Sequence, residues 1–178
     1  MKAVLALIFT LALPMAPALA EVMSSSRIAS LEAGVICPPE PIGTAPAPGT
    51  LAGVTHIIAQ EPEFVATGQQ VPAVLGVGFG VKAQAANANG IEPVNMVLSH
   101  PAMGRDGVTT QNFMTRISGN DPSLTFYQFD YPYELVTGTW QFTAMAGETI
   151  LYTVSFEVVD PQQVPKLANV CGYLDLLS

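Results

Sequence analysis

The chain has 178 residues, enough for one domain, and 49% of them are hydrophobic. Fourteen Asp and Glu face six Lys and Arg, giving a net charge of −8. No basic stripe is present to neutralise phosphates, which argues against nucleic acid as a partner.

The opening, MKAVLALIFTLALPMAPALAE, has the layout of a secretory signal peptide at residues 1–20. Lys2 supplies the positive start and Ala3 to Leu13 the apolar run, with Ala18-Leu19-Ala20 as the small-x-small site before Glu21. The run is shorter than the ~20 residues a membrane span needs, and Pro14 and Pro17 break it. Cleavage would leave no stable membrane span, and would leave five basic residues against fourteen acidic ones, a net charge of −9. The expected location is the periplasm or the exterior.

Residues 21–50 read as an extended, Pro-rich arm, with a helical turn or short strand around Ile28 to Ile36. Prolines at 38, 39, 41, 46 and 48 lack amide donors and fix φ, so no regular element is expected there. Cys37 lies in this arm and Cys171 in the tail at 161–178. In an oxidising compartment such a pair predicts a disulfide tying the tail back to the arm. Without CxxC spacing, a thiolate metal or redox site is the weaker reading.

The domain proper is expected at 51–160, beginning with a strand at Val54 to Gln60 and a loop or irregular edge at 61–72. In LGVGFGVKAQA (75–85), Leu75, Val77, Phe79, Val81 and Ala83 share one face, and Gly76, Gly78 and Gly80 lie on the other. A face bare of side chains predicts a central strand packed closely by the arm. The GxGxG spacing has no helix start and no GK[ST], so it is not a phosphate loop. Strands follow at Val94 to His100, ended by Pro101, and at 108–118, with turns at 85–90 and 118–123.

From Ser123 the chain reads as a strand, a proline-bearing corner and a long hairpin. Trp140, Phe142 and Ala144 point one way and Thr139, Gln141 and Thr143 the other. Beyond a turn near Gly147, Ile150, Tyr152, Val154, Phe156 and Val158 share one face. A period of two marks half-buried antiparallel strands. Asp160-Pro161 ends the hairpin, and the tail holds a helical turn near Leu167. About seven short strands at near-regular spacing predict an all-β, antiparallel β-sandwich.

VPAVLGVGFG (71–80), LSHPAM (98–103) and FYQFDYPYELVTGTWQF (126–142) resemble an uncharacterised family of small exported bacterial proteins, a domain of unknown function. Its signals are LGxxFG, a His-Pro, and YxFDxPxELVxGTWxF, here carried by Tyr127, Phe129, Asp130, Pro132, Glu134, Gly138, Trp140 and Phe142. The likeness spans residues 54–159, leaving the arm and the cysteine tail outside. Ala102 departs from the second proline expected after His100-Pro101. The resemblance implies an immunoglobulin-like sandwich and carries no activity with it. In physical terms, Pro132 and Gly138 would shape a crossing between sheets, and Glu134 could lock that corner by accepting backbone amide bonds.

No serine sits in a GxSxG elbow, and the only histidines are His56 and His100. A carboxylate-based hydrolase would require Asp130, Glu134 and a histidine to gather in one concavity. A copper site is the other chemical alternative, because thioether and imidazole suit Cu(I). Its candidate ligands are His100, Met103 and Met114, with Met96 nearby, but no His-x-Met follows. The reading that fits best is an exported, non-catalytic binding or accessory module without a cofactor, acting on an envelope protein or a polymer.

Overall fold

Alternating apolar and polar residues become extended backbone along most of the chain. The computed structural model describes residues 21–172. The expected leader at 1–20 and the apolar end of the tail at 173–178 lie outside the described residues. The strands in order are β1 (Val22–Ser24), β2 (Ile28–Ile36), β3 (Gly43–Pro46), β4 (Val54–Ile57), β5 (Phe64–Thr67) and β6 (Gln70–Pro72). They continue with β7 (Gly78–Ala85), β8 (Ile91–Met103), β9 (Val108–Ile117), β10 (Ser123–Gln128), β11 (Gly138–Ala146) and β12 (Thr149–Val159). A short helix, α1 (Pro165–Ala168), follows, containing the turn expected at Leu167.

Two sheets face each other. One has the order β1-β12-β11-β8-β9, with β6 added parallel to β12. The other has the order β10-β7-β2-β5, and β3 and β4 form a separate two-stranded hairpin. Phe79 of β7 fills the space between the layers. Its ring centroid lies 5.6 Å from Trp140, 5.7 Å from Phe142, 5.1 Å from Phe156 and 5.4 Å from Phe129. All five rings are fully buried. Edge-to-face aromatic pairs contribute roughly 0.5–1.5 kcal/mol each beyond area burial, so this cluster adds to what joins the two sheets.

The structure corrects several sequence expectations. Residues 21–50 are not an arm outside the sandwich: β2 is an interior strand between β7 and β5. Of the two readings of Ile28 to Ile36 the strand is the one found; its interior position was hidden because only Ile28 and Gly34 to Ile36 are fully buried. The proline-rich segment contributes β3, which the edge position permits, since a missing amide is tolerated where no partner strand needs it. Of the two readings of residues 61–72, the irregular edge fits: they hold the short strands β5 and β6, and β5 lies at the end of its sheet. Val54–Ile57 pairs only with β3 and belongs to neither large sheet. Strand β8 runs through Pro101 to Met103, because the register with β9 breaks between Ser99 and Met103.

The long hairpin pairs as read, with Trp140 opposite Phe156, Phe142 opposite Val154 and Ala144 opposite Tyr152. Ile150 does not share that face. The register slips between Ala144 and Met145, leaving Leu151 as an extra residue. The bulge buries Leu151 and turns Ile150 outward. The tail is fastened by the disulfide between Cys37 and Cys171. Closing 134 residues of chain removes up to about 5 kcal/mol of unfolded-state entropy in the loop-closure argument.

The glycine face of β7 serves close approach, by Ile36 and Pro38 of the expected arm at Gly78 but by β10 at Gly80. A Cβ at Gly80 would strike the carbonyl oxygen of Thr125 and the Cα of Phe126 on β10. Gly80→Ala is therefore expected to lower the unfolding free energy by about 1–3 kcal/mol, as overpacking does. Gly43→Ala, whose nearest neighbour is Ile57 Cδ1 at 3.9 Å, should leave it almost unchanged. Urea unfolding of the two variants checks this; equal effects would contradict it.

Candidate functional site

Strand β10 ends in one sheet and β11 begins in the other, so residues 129–137 carry the chain across the sandwich. Pro132 opens a single 3-10 turn there, at the position where its missing amide costs nothing. The turn sends the Glu134 side chain back under the corner. Its Oε2 accepts the amides of Asp130 (2.6 Å) and Tyr131 (2.9 Å), and its Oε1 accepts the Tyr127 hydroxyl (2.6 Å). Glu134 is 3% exposed. Burial raises its pKa, outweighing the three donors that pull it down. Burial, reinforced by the neighbouring Glu134, likewise raises the Tyr127 phenol, which stays a donor.

The loop and hairpin at residues 43–57 pack beside this corner. His56 Nε2 lies 2.7 Å from Asp130 Oδ2, with both side chains partly exposed. His56 Nδ1 is buried and has no partner among the described residues. Two further bonds hold the connecting loop to β9: Asn112 N–H donates to Gly49 O (2.9 Å), and Leu51 N–H donates to Gln111 Oε1 (2.6 Å). Gln111 Nε2 reaches His100 Nε2 at 3.1 Å, and His100 Nδ1 lies 2.8 Å from Pro101 O. A carbonyl can only accept, so Nδ1 carries the proton and Nε2 takes the Gln111 amide hydrogen. The His100 ring lies 4.7 Å from the Trp140 ring.

Between edge strands β9 and β10, beside the hairpin, lies a cleft of about 270 Å³. Phe113, Phe126, Tyr127 and Tyr131 supply rings, Met114 a thioether, and His56, Asp130 and Glu134 the ionisable groups. The three groups required for a carboxylate hydrolase thus line one concavity. Glu134, however, has both oxygens engaged by three donors, and Asp130 Oδ2 is bonded to His56. Of the expected motif residues, Phe129, Trp140 and Phe142 are core. Tyr127, Asp130 and Glu134 line the cleft. Gly138 takes φ 123° where the chain enters β11.

The copper candidates separate. His100 and Met103 are buried, and Met96 is buried on the same strand, whereas Met114 is 64% exposed on β9. Both nitrogens of His100 are already bonded, leaving no lone pair for a metal. The sequence offered His56 only as one of two histidines, and carried no signal for Gln111 or Phe113. His56 meets Asp130 across 74 residues, a pairing that no local spacing reveals.

The chain matches the family described as a domain of unknown function, DUF3859, over residues 25–158, and it belongs to that family. The match starts at residue 25, so the segment before residue 54 lies inside the family and not outside it. No curated protein matches the chain. Among solved structures it is similar to an immunoglobulin-like protein from Pseudomonas aeruginosa, at 23% identity and a TM-score of 0.51. The similarity covers 80% of this chain and 99% of that one. The fold is therefore an immunoglobulin-like, antiparallel β-sandwich.

Burial lowers the pKa of His100, more than its bond to Pro101 raises it. Below about pH 6.5 the unfolded chain binds a proton that the folded chain refuses, so stability should fall as pH drops through that value toward the lower folded one. Urea midpoints measured between neutral and acidic pH should show a steeper decline for the native protein than for His100→Gln. Parallel declines would contradict the assignment.

Proposed function

We propose that this member of the DUF3859 family is an exported, non-catalytic binding module of the bacterial envelope. Its seat for an envelope protein or polymer is the cleft between β9 and β10. The observation that supports this most is the state of Glu134. A general acid or base needs an oxygen free to meet substrate, and here both oxygens accept bonds from Tyr127, Asp130 and Tyr131. The cleft is left with aromatic walls and a histidine–aspartate pair, a composition typical of binding pockets. The opening signature and the fastened cysteine pair support export. Among the described residues no helix is long and apolar enough to cross a membrane.

The convergence of His56, Asp130 and Glu134 favours a second reading, hydrolysis, which the same experiment tests. A photo-activated diazirine side chain placed at Met114, on the cleft, should crosslink a partner in intact cells. The same group at exposed Val65 on β5 should not. Equal crosslinking at both positions would contradict the cleft as the seat. Turnover of a chromogenic glycoside or ester that disappears in Asp130→Asn would contradict the non-catalytic reading.

A further inference from the structure

We infer that the cleft receives a basic side chain of a partner protein, arginine before lysine, carried on a segment with apolar residues beside it. This rests on the cleft being a binding seat and adds the chemistry of what it binds.

Charge is the first support. Asp130 and Glu134 line the cleft, and among its described lining residues there is no lysine or arginine. The whole chain carries a net charge of −8. The second support is the balance of donors and acceptors. The Tyr127 hydroxyl already donates to Glu134, the Gln111 amide already meets His100, and the Thr50 hydroxyl already donates to Ala47 O (2.8 Å). Asp130 is bonded to His56 through Oδ2, and its Oδ1 has no hydrogen bond among the described residues. Asp130 thus keeps one carboxylate oxygen open to a donor in the cleft. A guanidinium, with five N–H donors and a positive charge, can make a charge-assisted bond to that oxygen.

The walls supply the third support. Rings attract a cation over their faces, and a planar guanidinium most of all. Tyr131 is 46% exposed and lies parallel to Tyr133, with centroids 5.2 Å apart and planes 6° from parallel. That stacking holds an exposed ring in place at the mouth. Met114 and Val54, also lining residues, are 64% and 39% exposed. An exposed apolar rim around a charged seat suits a protein segment better than a free amine, because the flanking residues of the segment have somewhere to bury.

The test is a titration of the purified protein, followed by amide chemical shifts. The probes are acetyl-Leu-Arg-Leu-amide, its citrulline counterpart and the neutral oligosaccharide chitotetraose. The arginine peptide should shift the amides of Phe113, Asp130 and Tyr131, with binding that weakens as salt rises. The citrulline peptide, of nearly equal shape but uncharged, should bind at least about tenfold more weakly, as loss of a charge-assisted contact does. Asp130→Asn and, separately, Phe113→Leu should each weaken the arginine peptide. If Asp130→Asn fails to fold, the arginine–citrulline comparison on the unaltered protein decides. Equal binding of the two peptides overturns the inference. So does chitotetraose shifting these amides while the peptides do not, an outcome that would leave the cleft reading intact. Silence at these amides with every probe also overturns it, and the crosslinking pattern then judges the cleft separately.

Discussion

One buried carboxylate organises the cleft end of this molecule. Removing a charge from water is costly unless hydrogen bonds replace its hydration. Glu134 meets that requirement with three short bonds, from the Tyr127 hydroxyl and the Asp130 and Tyr131 amides. These bonds fix the chain where it leaves one sheet for the other. They also aim Asp130 at His56, and so join the corner to the β3–β4 hairpin. The cleft between β9 and β10 has its shape because this corner is rigid. Much of what makes Glu134 a good lock makes it a poor acid or base, since its oxygens are spent on the fold.

The corner is stable because a dense core lies behind it. The Trp140 indole donates to Val136 O at 3.0 Å, so the residues that end the corner also orient the largest core side chain. Phe79 sits against five aromatic neighbours and links the two sheets through them. That contact depends on the bare opposite face of β7, where Gly78 and Gly80 let the adjacent chain close in. Gln111 and His100 form a second polar thread, running from the hairpin loop to the Trp140 ring. The floor of the cleft and the core are thus one hydrogen-bonded and stacked assembly.

What could be read from sequence followed from local regularity. The alternation in 75–85 and 138–158 gave the strands, the inward rings and the hairpin register up to the bulge at Leu151. The Pro-x-Glu corner was legible as a lock because Pro132, Glu134 and the amides that Glu134 accepts lie within four residues of one another. The β2 segment was legible as a turn or short strand, but its place inside the sheet was not, because Leu31 and Ala33 are only partly buried and Glu32 faces Lys82 on its partner strand. The cleft was illegible for another reason. Its walls come from residues 50–56, 111–115 and 124–134, and they meet only through the topology. His56 carries no neighbouring signal, and its value lies in Asp130, far along the chain.

Amide hydrogen exchange tests the central role of Glu134 most directly. Asp130 and Tyr131 are exposed residues in a loop-like corner, where amides ordinarily exchange fast. With Glu134 accepting from both, their amides should exchange slowly, at rates closer to those of the flanking strands, and should become fast in Glu134→Ala. Fast exchange at both amides in the unaltered protein would contradict the account, because the carboxylate would then not be holding the corner.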